Sequence, residues 1–225
     1  MWHEYVRHLV GYRLVMLDHR GRGRSDRPPE VAAHAISEYV CDVIAVIEAL
    51  GVQRVGFVGY SMGAQVGYSL AATRPDLIAS LVGLGVTWGP VSEPDEDIAL
   101  ASQVRTQGMA ALVALVEADE DIDLPPWLRD QFLDTDAEQF AISIEALKDW
   151  TGWPDYKRIE SPTLLIAGEA EDPSHLNGAA VAEMSRGQAV WLPGLGHVGA
   201  FLAARDQCQL VAPHLQATLA TDAGD

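Results

Sequence analysis

Residues 59–63, Gly-Tyr-Ser-Met-Gly, constrain the fold of this chain most strongly. They match the pattern G-x-S-x-G and lie between an apolar, β-branched run at residues 54–59 and an apolar helical pattern. A strand, a sharp turn at the serine and a helix are the context in which this pattern has chemical meaning. The crowded turn favours small neighbours, and Gly59 and Gly63 supply them. The sequence therefore predicts that Ser61 projects from the end of a strand as a nucleophile.

Strand and helix patterns alternate along most of the chain. Such alternation predicts an α/β fold with a mostly parallel sheet and helices on both faces. Besides the run at residues 54–59, strands are predicted at residues 13–17, 78–86, 162–167 and 189–192, and helices at residues 2–9, at residues 37–50 and after Gly199.

One long stretch, residues 90–159, breaks the alternation because it carries helical patterns without a strand signal. We interpret it as a helical cap inserted into an α/β core made of residues 1–89 and 160–225. Its tryptophans include Trp127 and Trp150, which are candidate substrate contacts. Packing within the cap accounts for them as well, since large aromatic side chains dominate core burial.

The charge of the chain excludes some classes of partner. The net charge is −17 and the pI is near 4.6, which argues against nucleic acid and anionic membranes because phosphate binding needs a basic surface. No apolar run reaches about 18 residues, and the first residues lack a signal-peptide pattern, so a cytoplasmic location is predicted. Two cysteines and no clustered ligands predict neither a disulfide framework nor a metal site. The oligomeric state is left open.

A serine nucleophile needs a base, and His197 is the best candidate among seven histidines. It lies in a glycine-rich loop between the last predicted strand and the last helix. In parallel α/β folds, active sites lie at the sheet edge formed by the carboxyl ends of the strands. An acid to orient the histidine is expected in the loop after residues 162–167, where Asp172 is preferred and Glu171 is the alternative. The chain order is then serine, acid, histidine.

Two further residues adjoin the predicted nucleophile. The N–H of Met62, at the start of the following helix, is placed to stabilise an oxyanion. Tyr60 is a candidate substrate contact, although packing is an equally good explanation of an aromatic residue there.

Four segments together make a resemblance to a known family: residues 18–25, 59–63, 162–168 and 194–197. In these segments the chain resembles the alpha/beta-hydrolase fold family, in the branch of esterases, haloperoxidase-like enzymes and enol-lactone hydrolases. The resemblance implies a triad of Ser61, Asp172 and His197, no cofactor, and a cap formed by residues 90–159. The aspartate of that family usually stands three residues after the glycine of the acid loop, where this chain has Glu171, so the acid stays open between two residues.

The beginning of the chain departs from that family. Members usually start with three strands and a His-Gly loop that supplies a second oxyanion N–H, whereas this chain starts at the helix that follows. Residues 13–17 would then correspond to the family's fourth strand, and its third strand, which lies in the middle of the sheet, would be absent. Such an absence leaves buried backbone groups unpaired. A fragment or misassigned start, a rearrangement of the remaining strands, and completion by another chain are the three explanations.

The favoured function is cleavage of a small neutral ester or lactone through an acyl-enzyme. A C–C bond hydrolase and a cofactor-free perhydrolase would use the same triad, and the fold does not choose between them. A catalytically inactive binding module or truncated remnant is the alternative from a different class. In each enzymatic case the expected partner is a small-molecule substrate.

Overall fold

The structure is a computed structural model of the 225-residue chain. It describes residues 1–85, 94–148, 156–170, 181 and 184–222.

The described residues contain one four-stranded parallel sheet in the order β1-β2-β3-β4. Strands β2 and β3 are buried throughout, whereas the outer strands β1 and β4 are partly exposed. This arrangement confirms the predicted α/β class and its parallel sheet. The strands are β1 (Val55–Tyr60), β2 (Ile78–Leu84), β3 (Thr163–Gly168) and β4 (Gly187–Leu192).

Helices connect and flank the strands. In α2 the residues Tyr39, Val43 and Ile47 recur every four positions and are all buried, so the helix forms by burying one apolar face. Within the described residues no helix combines the length and apolarity needed to cross a membrane. The helices of the described residues are α1 (His3–His8), α2 (Ile36–Ala49), α3 (Met62–Thr73), α4 (Pro94–Gln107), α5 (Met109–Glu120), α6 (Pro126–Leu133), α7 (Ala137–Lys148), α8 (His197–Leu202) and α9 (Ala204–Asp222).

The prediction of a strand at residues 13–17 is wrong. These residues have no regular secondary structure, and Leu14, Val15 and Met16 are 38%, 52% and 62% exposed. The sheet of the described residues contains no strand that pairs with them. Without a neighbouring strand to accept and donate its backbone hydrogen bonds, an apolar, β-branched run does not become a strand.

Contacts divide the chain into two compact units. One unit consists of Trp2–Arg13, Val43–Val91 and Gly152–Asp225 and contains the sheet. The residues buried at its centre include Tyr68, Leu81, Leu84, Leu165 and Ile166.

The other unit consists of Met1, Leu14–Asp42 and Ser92–Thr151, and it contains helices α4 to α7. Val104, Met109 and Leu112 form a buried cluster in it. The assignment of residues 90–159 as a cap domain stays a prediction.

Candidate active site

Ser61 occupies a strained turn between β1 and α3. Its φ of 54° and ψ of −125° make it one of two non-glycine residues with positive φ in the described part of the chain. Such a conformation costs on the order of 1–3 kcal/mol and persists only when the surroundings hold it. Here the Ser61 N–H donates to the Leu84 carbonyl at 2.9 Å, and the Ser61 carbonyl accepts from the Ala64 N–H at 2.8 Å. These two hydrogen bonds hold the turn against the end of β2 and against the first turn of α3.

The two glycines of the motif do not have equal roles. A Cβ atom on Gly59 would lie 2.3 Å from the carbonyl oxygen of Gly63, so only glycine fits at position 59 without movement. Among the residues that the structure describes, a Cβ atom on Gly63 would meet no heavy atom within 4 Å outside its own helix backbone and chain neighbours. The expectation that crowding demands a small residue on both sides is wrong for Gly63, because its Cβ direction is open.

The structure brings the predicted nucleophile and base together. The Nε2 atom of His197 lies 3.1 Å from the Oγ atom of Ser61, although 136 positions separate the residues in the chain. His197 is the first residue of α8, after the loop that follows β4. Both side chains are partly buried. A serine and an imidazole at this distance form the hydrogen bond that general-base activation requires.

The loop after β3 is held against the loop that leads to His197. The Ala170 N–H donates to the Leu195 carbonyl at 3.1 Å, and the Gly194 N–H donates to Oε2 of Glu169 at 3.3 Å. A Cβ atom on Gly168 would lie 2.1 Å from the Leu195 carbonyl oxygen, so the two backbones approach closely. The predicted acids come directly after this contact.

Three predicted site residues, Asp172, Glu171 and Trp150, lie outside the described residues. Trp127 lies on α6 and is partly buried, in the unit that does not contain Ser61. Its role as a substrate contact stays a prediction.

Met62 is the first residue of α3, directly after Ser61. An N–H group in the first turn of a helix has no intrahelical acceptor, and the helix dipole places partial positive charge there. Met62 therefore offers an N–H without an intrahelical acceptor next to Ser61, and its role in stabilising an oxyanion stays a prediction.

Tyr60 lies against His197. Its ring stacks on the His197 imidazole with centroids 4.8 Å apart and an interplanar angle of 25°. Its hydroxyl donates to the His197 backbone carbonyl at 3.2 Å. Sequence reasoning treats Tyr60 as a substrate contact or a packing residue, and nothing in the local sequence signals this contact with a residue so far along the chain.

A metal centre has no support in the part of the chain that the structure describes. No group of three or more His, Cys, Asp or Glu side chains is arranged to hold a metal ion there.

Relatives in sequence include hydrolases of several kinds. The chain is 28% identical over 182 residues to 3-oxoadipate enol-lactonase 2 of Acinetobacter baylyi, a match that covers 77% of this chain and 67% of the relative. It is 39% identical over 77 residues to Epoxide hydrolase B of Mycobacterium tuberculosis, and this match covers 34% of this chain and 22% of the relative. The chain thus spans about a fifth of that epoxide hydrolase's length.

Among solved structures, the enol-lactonase from Burkholderia xenovorans LB400 matches with a TM-score of 0.82 at 25% identity. The match covers 96% of this chain and 85% of the enol-lactonase chain. A family model described as alpha/beta hydrolase fold matches residues 1–121, which is more than half of the chain. Together with the parallel sheet, these matches show that the chain belongs to the alpha/beta hydrolase fold family.

Proposed function

We propose that this chain is a serine hydrolase that cleaves a small neutral ester or lactone through an acyl-enzyme. The observation that carries the proposal is the 3.1 Å contact between His197 Nε2 and Ser61 Oγ at a strained turn. The relatives named as an enol-lactonase and an epoxide hydrolase support a hydrolase in general.

The reaction follows from these positions. As the Ser61 oxygen bonds to the substrate carbonyl carbon, His197 Nε2 accepts the Oγ proton, and the Met62 N–H donates to the developing oxyanion. The bond from carbon to the leaving oxygen then breaks, and that oxygen takes the proton from His197. In the second half His197 accepts a proton from water, the water oxygen attacks the acyl carbon, and Ser61 leaves and regains its proton. In a lactone the leaving alcohol stays attached to the acyl group.

Asp172 is proposed as the acid that orients His197, with Glu171 as the alternative. Ala170 is bonded to Leu195, two residues before His197. Residues 171 and 172 follow within two positions, and two residues reach at most about 7 Å. Either carboxylate can therefore approach the histidine loop, where it would fix the imidazole tautomer and stabilise the imidazolium.

Acyl chemistry suits a serine nucleophile better than epoxide opening does. Attack by Ser61 on an epoxide would form an ether, which has no carbonyl carbon for water to attack. Attack on an ester or lactone forms an ester to the enzyme, which water can hydrolyse. The net charge of −17 also disfavours anionic substrates, which supports a neutral one.

Steady-state hydrolysis of neutral p-nitrophenyl esters and of simple lactones tests the proposal. Ser61→Ala and His197→Asn are expected to lower kcat/KM on the order of 10⁴-fold. Whichever of Asp172→Asn and Glu171→Gln removes the true acid should lose on the order of 10²–10⁴-fold, while the other stays close to wild type.

Turnover that Ser61→Ala leaves unchanged would contradict the proposal, as would a folded wild-type chain that hydrolyses none of these substrates. Turnover that depends on added hydrogen peroxide would indicate the perhydrolase alternative instead.

A further inference from the structure

We propose that Tyr60 is a positioning residue, which holds the imidazole and the backbone of His197 in the geometry that reaches Ser61. The inference rests on the proposed function, because it assigns a role to His197 as the base. It replaces substrate contact as the explanation for an aromatic residue next to the nucleophile.

Tyr60 makes two different contacts with the same histidine. Its ring covers the imidazole at a centroid distance of 4.8 Å, and its hydroxyl donates to the His197 carbonyl at 3.2 Å. The first contact restricts rotation of the imidazole, and the second restricts the backbone from which that side chain projects. Because Tyr60 directly precedes Ser61, its two contacts hold His197 against the same short segment of backbone that carries the Ser61 side chain.

Gly85 provides the space for this arrangement. It follows β2 with a φ of +56°, and its N–H donates to the Ile166 carbonyl at 2.8 Å. A Cβ atom there would lie 2.6 Å from Cε2 of Tyr60 and 3.2 Å from Cε1 of His197. A side chain at position 85 would therefore enter the space in which the two rings meet.

Further rings support Tyr60 from the side of α1 and α8. The Phe201 ring lies 4.3 Å from the Tyr60 ring, and the Tyr5 ring lies 5.3 Å from that of Phe201. The Trp2 ring meets both Tyr5 and Phe201 edge-on, at 5.0 and 5.7 Å. We call Trp2, Tyr5, Phe201 and Tyr60 the aromatic column.

The aromatic column is tightly packed at Tyr5 and Phe201. Tyr5 and Phe201 are 1% and 2% exposed, and the Tyr5 hydroxyl lies 2.7 Å from Oε1 of Gln207. Interiors packed in this way do not deform freely, so the column transmits a fixed position to Tyr60. Phe201 also lies one helical turn after His197 in α8, so the aromatic column is part of the same helix that begins at His197.

A positioning role predicts a specific kinetic pattern. Loss of the ring frees the imidazole, and misplacement of a catalytic group by about 1 Å costs on the order of 10²-fold in rate. Substrate binding is not affected, because Tyr60 acts through His197. A substrate contact would instead raise KM when it is removed.

Tyr60→Leu, Tyr60→Phe and the control Tyr12→Phe test this role on an ester that the wild type hydrolyses. The Tyr12 hydroxyl donates to the Ala212 carbonyl at 3.4 Å in the same unit, so Tyr12→Phe is a matched loss of one phenol hydroxyl away from His197. We expect Tyr60→Leu to lower kcat on the order of 10²-fold with KM within about twofold. Tyr60→Phe should lower kcat about fivefold, because it keeps the ring and loses one hydrogen bond. Tyr12→Phe should match wild type.

A raised KM with unchanged kcat in Tyr60→Leu would overturn the proposal in favour of substrate contact. Unchanged kcat in Tyr60→Phe would overturn the part assigned to the hydroxyl, and this variant keeps the question testable if the leucine variant does not fold.

A spectroscopic readout separates this inference from the proposed function. The Hε1 proton resonance of His197, assigned by its loss in His197→Asn, should be shifted upfield by the Tyr60 ring. We expect it to stay upfield in Tyr60→Phe and to move downfield in Tyr60→Leu, whether or not any ester is hydrolysed. An Hε1 resonance that Tyr60→Leu leaves in place would overturn the positioning contact even in an active hydrolase.

Discussion

Alanine at Gly59 and alanine at Gly63 should have opposite consequences, although the two glycines are symmetric in the motif. In Gly59→Ala the new Cβ lies 2.3 Å from the Gly63 carbonyl oxygen, where a real Cβ contact needs at least 3.0 Å. Backbone on one side or the other must move by about 0.7 Å. Because that carbonyl belongs to the first turn of α3, the movement passes to Ser61, which directly precedes that helix.

The expected magnitudes follow from this overlap. Overpacking of a fixed backbone contact costs about 1–3 kcal/mol of unfolding free energy. A displacement of Ser61 approaching 1 Å lowers its reactivity about 10–100-fold. The new Cβ in Gly63→Ala meets no atom of the described part of the chain, and alanine in place of helical glycine gains up to about 1 kcal/mol of unfolding free energy.

The assay is the second-order rate of fluorophosphonate labelling at Ser61, measured beside urea unfolding for both variants and wild type. Gly63→Ala should label within about twofold of wild type and unfold at a higher urea concentration. Labelling of Gly59→Ala at the wild-type rate would refute the reasoning from backbone contact. Equal losses in the two variants would refute the claimed asymmetry.

Three further predictions concern strain, loop contact and pH. Ser61→Gly should be about 1 kcal/mol more stable to urea than Ser61→Ala, since both lack the hydroxyl and only glycine relieves a φ of 54°; equal stabilities would contradict strain at the turn. Gly168→Ala, whose Cβ would lie 2.1 Å from the Leu195 carbonyl, should slow Ser61 labelling at least about tenfold by moving the loop before His197; wild-type labelling would contradict it. Burial lowers the pKa of His19 and of His214 below the ordinary 6.5, so the unfolded chain binds protons first as the pH falls. The unfolding free energy should therefore fall between pH 7.5 and 5.5, and fall less in the His19→Asn and His214→Asn variants; an identical pH dependence in wild type and variants would contradict this.

Much of the fold could be predicted because its signals are local. The runs that became β1 to β4 are apolar and bounded by glycine, proline or a change of period, and each strand was predicted to within a few residues over its described part. Ser61 directly follows β1 and His197 follows the glycine-rich loop after β4, and parallel strands bring such positions to one edge of the sheet.

The predictions that failed or were missing concern features that depend on residues distant in the sequence. Residues 13–17 have strand composition, but strand formation requires a partner strand that local composition cannot reveal. Whether Gly63 is crowded depends on the path of the helix backbone, which the motif does not specify. The contact of Tyr60 with His197 depends on Gly85 and Phe201, and no spacing in the sequence relates Tyr60 to these three residues.

Covalent trapping can show whether Ser61 is a nucleophile that His197 activates. The intact mass of the chain is measured after exposure to a fluorophosphonate, with Ser61→Ala and His197→Asn alongside, and the labelled peptide is mapped. We expect a single adduct on Ser61 in the wild type, none in Ser61→Ala, and labelling slowed on the order of 10²–10⁴-fold in His197→Asn. A folded wild-type chain that gains no adduct, or a Ser61→Ala chain that gains the same one, would contradict it.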